Sequence, residues 1–421
     1  MWRIRRTFRS WRQSAPGYLL SACAFVWRRA MFRTTFIAIT GSAGKTTTTA
    51  CVGTILSAHF PTHWTPGGRN GRVSLARDIL RTRFRHRFMV IEVGTRAPGA
   101  LRKAAWMIAP DIAVVLTVLG IHTNAFPTLD AMAAEKEQLL SRLGKHGLAI
   151  LNADDPLVRN MATRCRESVR TFGTAPDAFI RATDESATWP RRLSFCADRG
   201  SDSCRVRTNL VGEHMLTPAL AALAVAVSCG IPLEQAAAEF AHVEPVAGRM
   251  QPMTLPCGAV VLRDDFNASM PTLVAGLNAM RTAEAARRIV IVGDILDSTF
   301  TLRPRLRDLG RRVGSAADLA IFIGNASKIS AKAAIAAGLS PESARAFQNL
   351  REAAAFLQQE LRPEDLVFVH GWTAHQIERV ILAQLGTISC WIERCNRYID
   401  CDRCPELKLI PLLPAGSLTV R

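Results

Sequence analysis

The chain has 421 residues, of which 48% are hydrophobic, and its formal net charge at pH 7 is +18. This length predicts two α/β domains, and the apolar content excludes a disordered chain. No apolar run reaches the ~18–20 residues that cross a bilayer, and no basic motif interleaved with aromatic residues indicates a nucleic-acid partner. Three explanations remain for the excess of arginine: contact with an anionic membrane surface, binding of an acidic substrate, and genomic base composition.

The first 35 residues are basic and precede the first predicted strand. An apolar stretch over residues 17–27 follows an arginine-rich start and is followed at once by Arg28 and Arg29. There is no convincing signal-peptide cleavage site. We interpret residues 1–35 as a basic amphipathic helix that packs on the first domain of a cytoplasmic protein. Peripheral contact with the inner membrane through anionic lipids is the alternative.

From residue 36 onward, apolar strands alternate with helical stretches. Such a pattern predicts a mostly parallel sheet covered on both faces. The polar residues 175–210 predict a small antiparallel extension, and the alanine-rich residues 214–242 predict helices. The predicted strands of this domain are residues 36–40, 87–93, 111–117 and 147–151, and its other predicted helices follow the first strand through residue 56 and cover 98–107 and 128–143.

A second α/β series follows a predicted hinge at residues 244–249. We place the domain boundary near Gly248, which gives a central domain over 36–247, a smaller Rossmann-like domain over 248–386 and a cysteine-containing tail over 387–421. The predicted strands of the second domain are residues 258–263, 288–293, 318–323 and 365–369.

The strongest motif follows the first predicted strand and opens a helix. It reads Gly41-Ser42-Ala43-Gly44-Lys45-Thr46-Thr47. Glycines allow backbone N–H groups to face phosphate oxygens, and the helix N-terminus adds a positive dipole. Lys45 would neutralise the β- and γ-phosphates, and Thr46 would hold Mg²⁺. The strict phosphate-binding pattern has a glycine at position 39, where this chain has isoleucine, so the loop is a shortened variant.

Two further polar side chains follow buried strands. Glu92 ends one predicted strand, and His122 follows the next one. The carboxyl ends of parallel strands line the ligand crevice in such sheets. Each residue alone is typical of a hydrogen-bonded structural group, but their placement around one ATP loop favours a magnesium site.

Lys136 lies in a charged helical segment. The simplest interpretation is a solvated face with charge pairing. However, lysine occurs at only seven positions of this arginine-rich chain, namely 45, 103, 136, 145, 328, 332 and 408. A lysine where arginine would serve as a surface charge indicates chemistry that needs an amine.

In order and spacing, these motifs resemble the Mur ligase family, closest to its MurF type, over residues 36–385. The resemblance rests on the ordered set as a whole, because only the ATP loop is specific by itself. The motifs are Thr40-Gly41-Ser42-Ala43-Gly44-Lys45-Thr46-Thr47, Glu92-Val93-Gly94, His122, Lys136, Leu151-Asn152-Ala153-Asp154-Asp155-Pro156, Gly212-Glu213-His214, Gly248-Arg249-Met250, Asp264-Asp265-Phe266-Asn267-Ala268 and Gly293-Asp294.

The resemblance implies an ATP-dependent ligase that joins a carboxylate to an amine through an acyl phosphate. Lys45 and Thr46 would grip the triphosphate and its Mg²⁺, and Glu92 would bind the same ion. Lys136 would be carbamylated and would help to hold a second Mg²⁺, with His122 nearby. Such chemistry depends on positioning, charge neutralisation and exclusion of water.

The resemblance also assigns residues around the nucleotide. Asn152 and Asp155 would lie close to it. Arg249 would reach from the second domain toward the phosphates. Asp264 or Asp265 would contact the ribose or orient that domain.

The chain departs from the family in several places. Only about 35 residues precede the ATP loop, whereas MurF-type enzymes carry a domain there that binds a uridine-diphosphate sugar. We therefore expect an anionic carboxylate substrate that is not bound through that nucleotide, as in folylpolyglutamate synthases or the MurT-type amidating subunit. Pro218 replaces an asparagine, which would alter substrate or adenine contacts. The usual Lys-Gly-Ser motif of the amine site reads His370-Gly371-Trp372, so MurF's D-alanyl-D-alanine specificity does not carry over.

Four cysteines cluster in the tail, at Cys390, Cys395, Cys401 and Cys404. Four thiolates could hold structural zinc, but only the last pair has the favoured spacing. Free or buried thiols and an iron–sulfur cluster are the alternatives.

Three functions fit these motifs. The leading one is the amide ligase. The second is a MurT-like subunit that receives ammonia from a glutaminase partner. The third is an ATP-binding scaffold without ligase turnover.

Overall fold

The computed structural model describes residues 17–121, 124–293, 302–372, 375–392, 395 and 400–411. The chain forms two compact units. The first comprises the chain up to Glu185 together with Ser194–Asn209 and His214–Glu244, and the second comprises Ser186–Leu193, Leu210–Glu213 and the chain from Pro245 onward.

A nine-stranded sheet forms the centre of the first unit. Its strands are β1 (Thr35–Thr40), β2 (Thr62–Trp64), β3 (Phe88–Glu92), β4 (Ile112–Val115), β5 (Leu148–Asn152), β6 (Ser168–Gly173), β7 (Ile180–Ser186), β8 (Ser194–Arg199) and β9 (Asp202–Arg207), in the spatial order β2-β3-β1-β4-β5-β6-β7-β8-β9. The pairs from β2 to β7 are parallel, and β8 pairs antiparallel with β9. This confirms the predicted parallel sheet, and the antiparallel extension is part of the same sheet.

The helices of the first unit connect these strands. They are α1 (residues 17–30), α2 (Lys45–His59), α3 (Arg72–Arg81), α4 (Ala100–Ile108), α5 (Leu129–Glu137), α6 (Pro156–Arg159), α7 (Leu216–Ser228) and α8 (Leu233–Ala238). Short 3₁₀ turns follow α5 and α6 and flank α7 and α8. The continuous apolar strands β1, β3 and β4 are buried along their length, so helices must cover both faces of the sheet.

The second unit contains a six-stranded sheet in the order β10-β11-β15-β12-β13-β14. Only the edge pair β10–β11 is antiparallel. Its strands are β10 (Gln251–Thr254), β11 (Val260–Asp264), β12 (Arg287–Val292), β13 (Leu319–Ile323), β14 (Ala344–Phe347) and β15 (Asp365–His370), and its helices are α9 (Met270–Thr282), α10 (Leu302–Gly314), α11 (Ser327–Ala336), α12 (Leu350–Glu360) and α13 (Glu378–Leu385). The four predicted strands of this domain are confirmed as β11, β12, β13 and β15.

The cysteine-containing tail packs on the core of the second unit. Two short strands, β16 (Gly386–Thr387) and β17 (Ile410–Pro411), pair antiparallel. Cys401 and Leu407 belong to the buried core of this unit. None of the helices in the described ranges is long and apolar enough to cross a membrane.

Candidate functional site

The predicted ATP loop connects β1 to the N-terminus of α2. Gly44 has φ 81°, a left-handed conformation that favours glycine, and a Cβ there would lie 3.2 Å from Cγ of Pro218. A Cβ on Gly41 would lie 2.8 Å from Cβ of Leu116. No side chain caps the start of α2, and an uncapped helix N-terminus favours an anion.

Residues after β4 hold the loop from one side. The Ser42 amide donates to the Thr117 carbonyl at 2.8 Å, and the Ala43 amide donates to Thr117 Oγ1 at 3.2 Å. The Leu119 amide donates to Ser42 Oγ at 2.9 Å. The loop is therefore fixed by short bonds to a neighbouring strand end, as a preformed phosphate site requires.

The two residues that open α2 have different partners. Lys45 Nζ donates to the carbonyls of Gly41 and Ser42 at 2.8 and 3.2 Å, so its ammonium lies over the loop. Thr46 Oγ1 donates to Glu92 Oε2 at 2.8 Å. The buried Glu92 carboxylate at the end of β3 thus meets the hydroxyl that the sequence predicted as a Mg²⁺ ligand.

Asn70 is a site residue whose role the sequence did not indicate. Its Nδ2 donates to Glu92 Oε1 at 2.7 Å. A Cβ at Gly94 would lie 2.6 Å from Cγ of Asn70, so the glycine after β3 makes room for this amide. The asparagine in the loop before α3 was visible in the sequence, but nothing there indicated its contact with Glu92.

Lys136 lies on α5 and is only 2% exposed, which excludes the solvated-face interpretation. Burial, together with the nearby positive charge of Lys45, lowers the pKa of Lys136 to about 7. The neighbouring Glu135 accepts from the amides of Gly99 and Leu101 at 2.7 and 2.8 Å, which fixes α5 against the start of α4. A buried lysine that is partly neutral at pH 7 is a reactive amine.

Asn152 ends β5, and Asp155 immediately precedes α6. Asn152 Nδ2 donates to the Leu116 carbonyl at 2.8 Å. Asp155 accepts from the Val118 amide at 2.7 Å and caps α6 by accepting from the amides of Leu157 and Val158. Both residues line an open groove beside the segment that holds the ATP loop.

Three predicted residues lie in the second unit. The half-buried Arg249 places its guanidinium 4.6 Å from the ring centroid of Phe266. Asp264 Oδ2 lies 2.9 Å from His370 Nδ1. Asp265 is buried in an ion pair with Arg263, at 2.8 Å between Oδ2 and Nε, and its burial raises the pKa of its carboxyl. Both predicted roles, a ribose contact or the orientation of this domain, remain predictions for Asp264 and Asp265.

Two predictions about metal ligands gain no support from the described residues. His122 lies outside the described residues. All eleven cysteines are free thiols, and Cys401 Sγ accepts from Arg379 Nε at 3.2 Å. Within the described ranges, no group of three or more His, Cys, Asp or Glu residues could hold a metal ion.

Comparison with known families identifies two matched regions. The family profile described as Mur ligase middle domain matches residues 39–226, and that described as Mur ligase, glutamate ligase domain matches residues 248–372. Together these profiles cover most of both units.

Individual relatives agree with these profiles. A UDP-N-acetylmuramoyl-tripeptide--D-alanyl-D-alanine ligase of Mycobacterium bovis is 29% identical over 376 residues, which is 85% of this chain and 74% of the relative. The ligase of the same name from Escherichia coli is 28% identical over 64% of this chain and 60% of its own length.

Solved structures show the same fold. A crystal structure of MurF from Acinetobacter baumannii superposes with a TM-score of 0.78 at 24% identity, covering 87% of this chain and 80% of its own. Mycobacterium tuberculosis folylpolyglutamate synthase complexed with ADP gives a TM-score of 0.65 at 17% identity, covering 85% and 92%.

Proposed function

The chain belongs to the Mur ligase family, and on this premise we propose that it is an ATP-dependent ligase that joins a carboxylate to an amine. The observation that carries the proposal is the grouping around the ATP loop. The ammonium of Lys45 lies over the loop, and Thr46 is hydrogen-bonded to Glu92. The positive charge of Lys45 also lowers the pKa of the buried Lys136. This arrangement would supply phosphate binding, a cation site made of oxygen ligands and a reactive amine.

The N-terminus of α2 and the loop before it would bind the phosphates. The uncapped amides of α2 and the ammonium of Lys45 would bind the triphosphate. One carboxylate oxygen of the substrate attacks the terminal phosphorus, and the bond from that phosphorus to ADP breaks. The resulting acyl phosphate is attacked by the amine nitrogen, and inorganic phosphate leaves as the amide forms. The amine loses a proton in this second step.

The residues present fit a magnesium ion. Thr46 and Glu92 offer a hydroxyl and a carboxylate oxygen, which are ligands that Mg²⁺ prefers. Bound Mg²⁺ supplies charge neutralisation of the triphosphate. Asn70 orients the Glu92 carboxylate through its hydrogen bond to Oε1 of Glu92. The other carboxylate oxygen of Glu92, Oε2, faces Thr46.

Lys136 would serve as a carbamate. With a pKa of about 7, a large fraction of its amines is uncharged at neutral pH, and an uncharged amine reacts with carbon dioxide. Carbamylation would replace a lysine ammonium, which repels cations, by a carbamate whose oxygen atoms could bind a second Mg²⁺. His122, Arg249 and Asp264 remain predicted contributors to the same chemistry.

The substrates are proposed by chemical class. The net charge of +18 supports an anionic carboxylate acceptor. The relatives' name specifies a muramoyl tripeptide and D-alanyl-D-alanine for those enzymes. We propose a different amine here, because His370 is paired with Asp264 where the family carries lysine. Zinc binding by the tail cysteines is a separate prediction, which metal analysis of chelator-free protein tests.

ATP turnover with candidate carboxylates and amines tests this function. Wild type should release ADP and phosphate only when both substrates are present, and Lys45→Ala should lower the rate at least ~100-fold. Lys103→Ala is a matched control because Lys103 is exposed on α4. Turnover that requires glutamine and a co-purified glutaminase would instead favour the amidating subunit. ATP binding without turnover for any pair would favour the scaffold.

A further inference from the structure

The helix α1 of the first unit is apolar on its outward face as well as its inward face. Inward, Ala24 and Met31 are buried, and the largely buried Arg28 donates to the Ile108 carbonyl at 2.7 Å. Outward, Leu19 and Val26 are 69% and 66% exposed. The outward positions between them, Ala22 and Cys23, are also uncharged and exposed. A helix face that meets only water is normally polar, so this face indicates a partner.

Aromatic side chains from other segments extend this face. Phe84, 67% exposed, packs on Trp27 with ring centroids 5.3 Å apart. Trp106, 47% exposed, stacks on Phe25 at 3.8 Å. We name the six exposed side chains around α1 the N-terminal apolar surface, and they are Tyr18, Leu19, Val26, Phe32, Phe84 and Trp106.

The segments that form this surface carry mainly positive charge. The first acidic residue of the chain is Asp78, which is buried and pairs with Arg81. Asp111 likewise pairs with Arg28. Exposed arginines lie beside the apolar side chains: Arg29 is 5.9 Å from the ring centroid of Trp106, Arg33 is 5.6 Å from that of Phe32, and Arg72 is 3.9 Å from that of Tyr18. The exposed arginines at positions 83 and 85 flank Phe84 in the sequence.

We propose that the N-terminal apolar surface docks on an anionic lipid bilayer. The apolar side chains would enter the boundary between headgroups and acyl chains, and the arginines would contact lipid phosphates. Nucleic acid would use the arginines but would leave Leu19 and Val26 in water. A second copy of the chain would bring two arginine-rich surfaces together, which like-charge repulsion opposes.

Vesicle co-sedimentation of the full chain tests the proposal. Wild type should bind phosphatidylcholine vesicles that contain about 30% phosphatidylglycerol, and should bind pure phosphatidylcholine at least ~10-fold more weakly. Leu19→Glu with Val26→Glu removes the apolar contact, and Arg83→Gln with Arg85→Gln removes charge. Each pair should weaken binding about tenfold, and about 0.5 M salt should weaken it further.

Matched controls lie in the second unit. Ile410→Glu alters an isoleucine that is 67% exposed, and Arg303→Gln with Arg307→Gln alters two exposed arginines. These variants should bind vesicles like wild type. Equal binding to both vesicle types, or unchanged binding by Leu19→Glu with Val26→Glu, would overturn the proposal. A concentration-dependent dimer lost in that variant, or RNA binding in place of lipid binding, would also overturn it. ATP turnover should be unchanged in every variant, so this test is independent of the ligase test.

Discussion

Lys136 shows how a single side chain links stability to chemistry. Its ammonium is almost fully buried beside the charge of Lys45, and the pKa falls to about 7 from an ordinary 10.5. A charged lysine in this place opposes folding, while an uncharged one would react with carbon dioxide in the proposed carbamate chemistry. The position therefore favours function over stability.

Replacing Lys136 should stabilise the protein in acid. Below pH 7 the lysine is charged in both the folded and unfolded states, so the folded state bears the full cost of burying it. Between pH 7 and 10.5 the unfolded state binds more protons, so stability rises with pH. Lys136→Met should thus raise the free energy of unfolding by roughly 3–5 kcal/mol at pH 6, and by less at pH 10, while ligation is lost.

Urea unfolding at the two pH values, in buffer depleted of carbon dioxide, measures this effect. Lys103→Met is the control because Lys103 is exposed, and it should show no such pH dependence. A Lys136→Met protein that is less stable than wild type at pH 6 would contradict the account.

Asn70 should act through Glu92. Asn70→Ala removes the hydrogen bond to Glu92 Oε1 and leaves that buried carboxylate less well oriented. Loss of an outer partner of a metal ligand typically weakens metal binding 10–100-fold. We therefore expect the Mg²⁺ concentration for half-maximal ATP turnover to rise by about tenfold or more. Asn160→Ala, at an exposed position, should leave it unchanged, and an unchanged value in Asn70→Ala would refute the role.

At the scale of elements, the ATP loop depends on the ends of two other strands. Thr117, just after β4, holds the amides of Ser42 and Ala43. Asp155, at the start of α6, holds the next residue, Val118. The site is thus assembled from β1, β4 and β5 at the carboxyl edge of the sheet, where parallel strands place their ligand residues.

Asp155→Ala should loosen this assembly. The variant loses the cap of α6 and the bond to Val118, and we expect a loss of about 1–2 kcal/mol in the free energy of unfolding. ATP affinity should also fall, since the segment at 117–119 holds the loop. Chemical denaturation and calorimetric ATP titration measure both effects. Asp177→Ala removes an exposed aspartate from a surface ion pair and should change neither value; unaltered ATP affinity in Asp155→Ala would count against the assembly.

Across the whole molecule, the sequence predicted the continuous apolar strands and missed strands that are short or polar. Strands β1, β3, β4 and β5 are continuous apolar runs, and a buried parallel sheet requires such runs. The edge strand β2 has only three residues, and β6, which lies between β5 and β7, is polar and half-exposed, so neither gave a clear pattern. Short edge strands are defined by their neighbours in space and have little signal of their own.

The site residues, like the strands, were predictable only where the signal is local in the sequence. The loop at residues 41–47 and Glu92 were predictable because each is fixed by its own strand. The contact of Asn70 with Glu92 was not, since it depends on how a loop folds back. The pairing of Asp264 with His370 depends on β11 lying beside β15, more than a hundred residues later. Local spacing contains no information on that register.

The central claim is that this chain activates a carboxylate as an acyl phosphate. Hydroxylamine tests it most directly, because this small amine attacks an acyl phosphate and leaves a hydroxamate that iron(III) reveals. Wild type with ATP, Mg²⁺ and a panel of anionic carboxylates should form hydroxamate with at least one of them, and Lys45→Ala should form none. A wild-type protein that hydrolyses ATP yet gives no hydroxamate with any carboxylate, or a Lys45→Ala protein that gives as much as wild type, would contradict it.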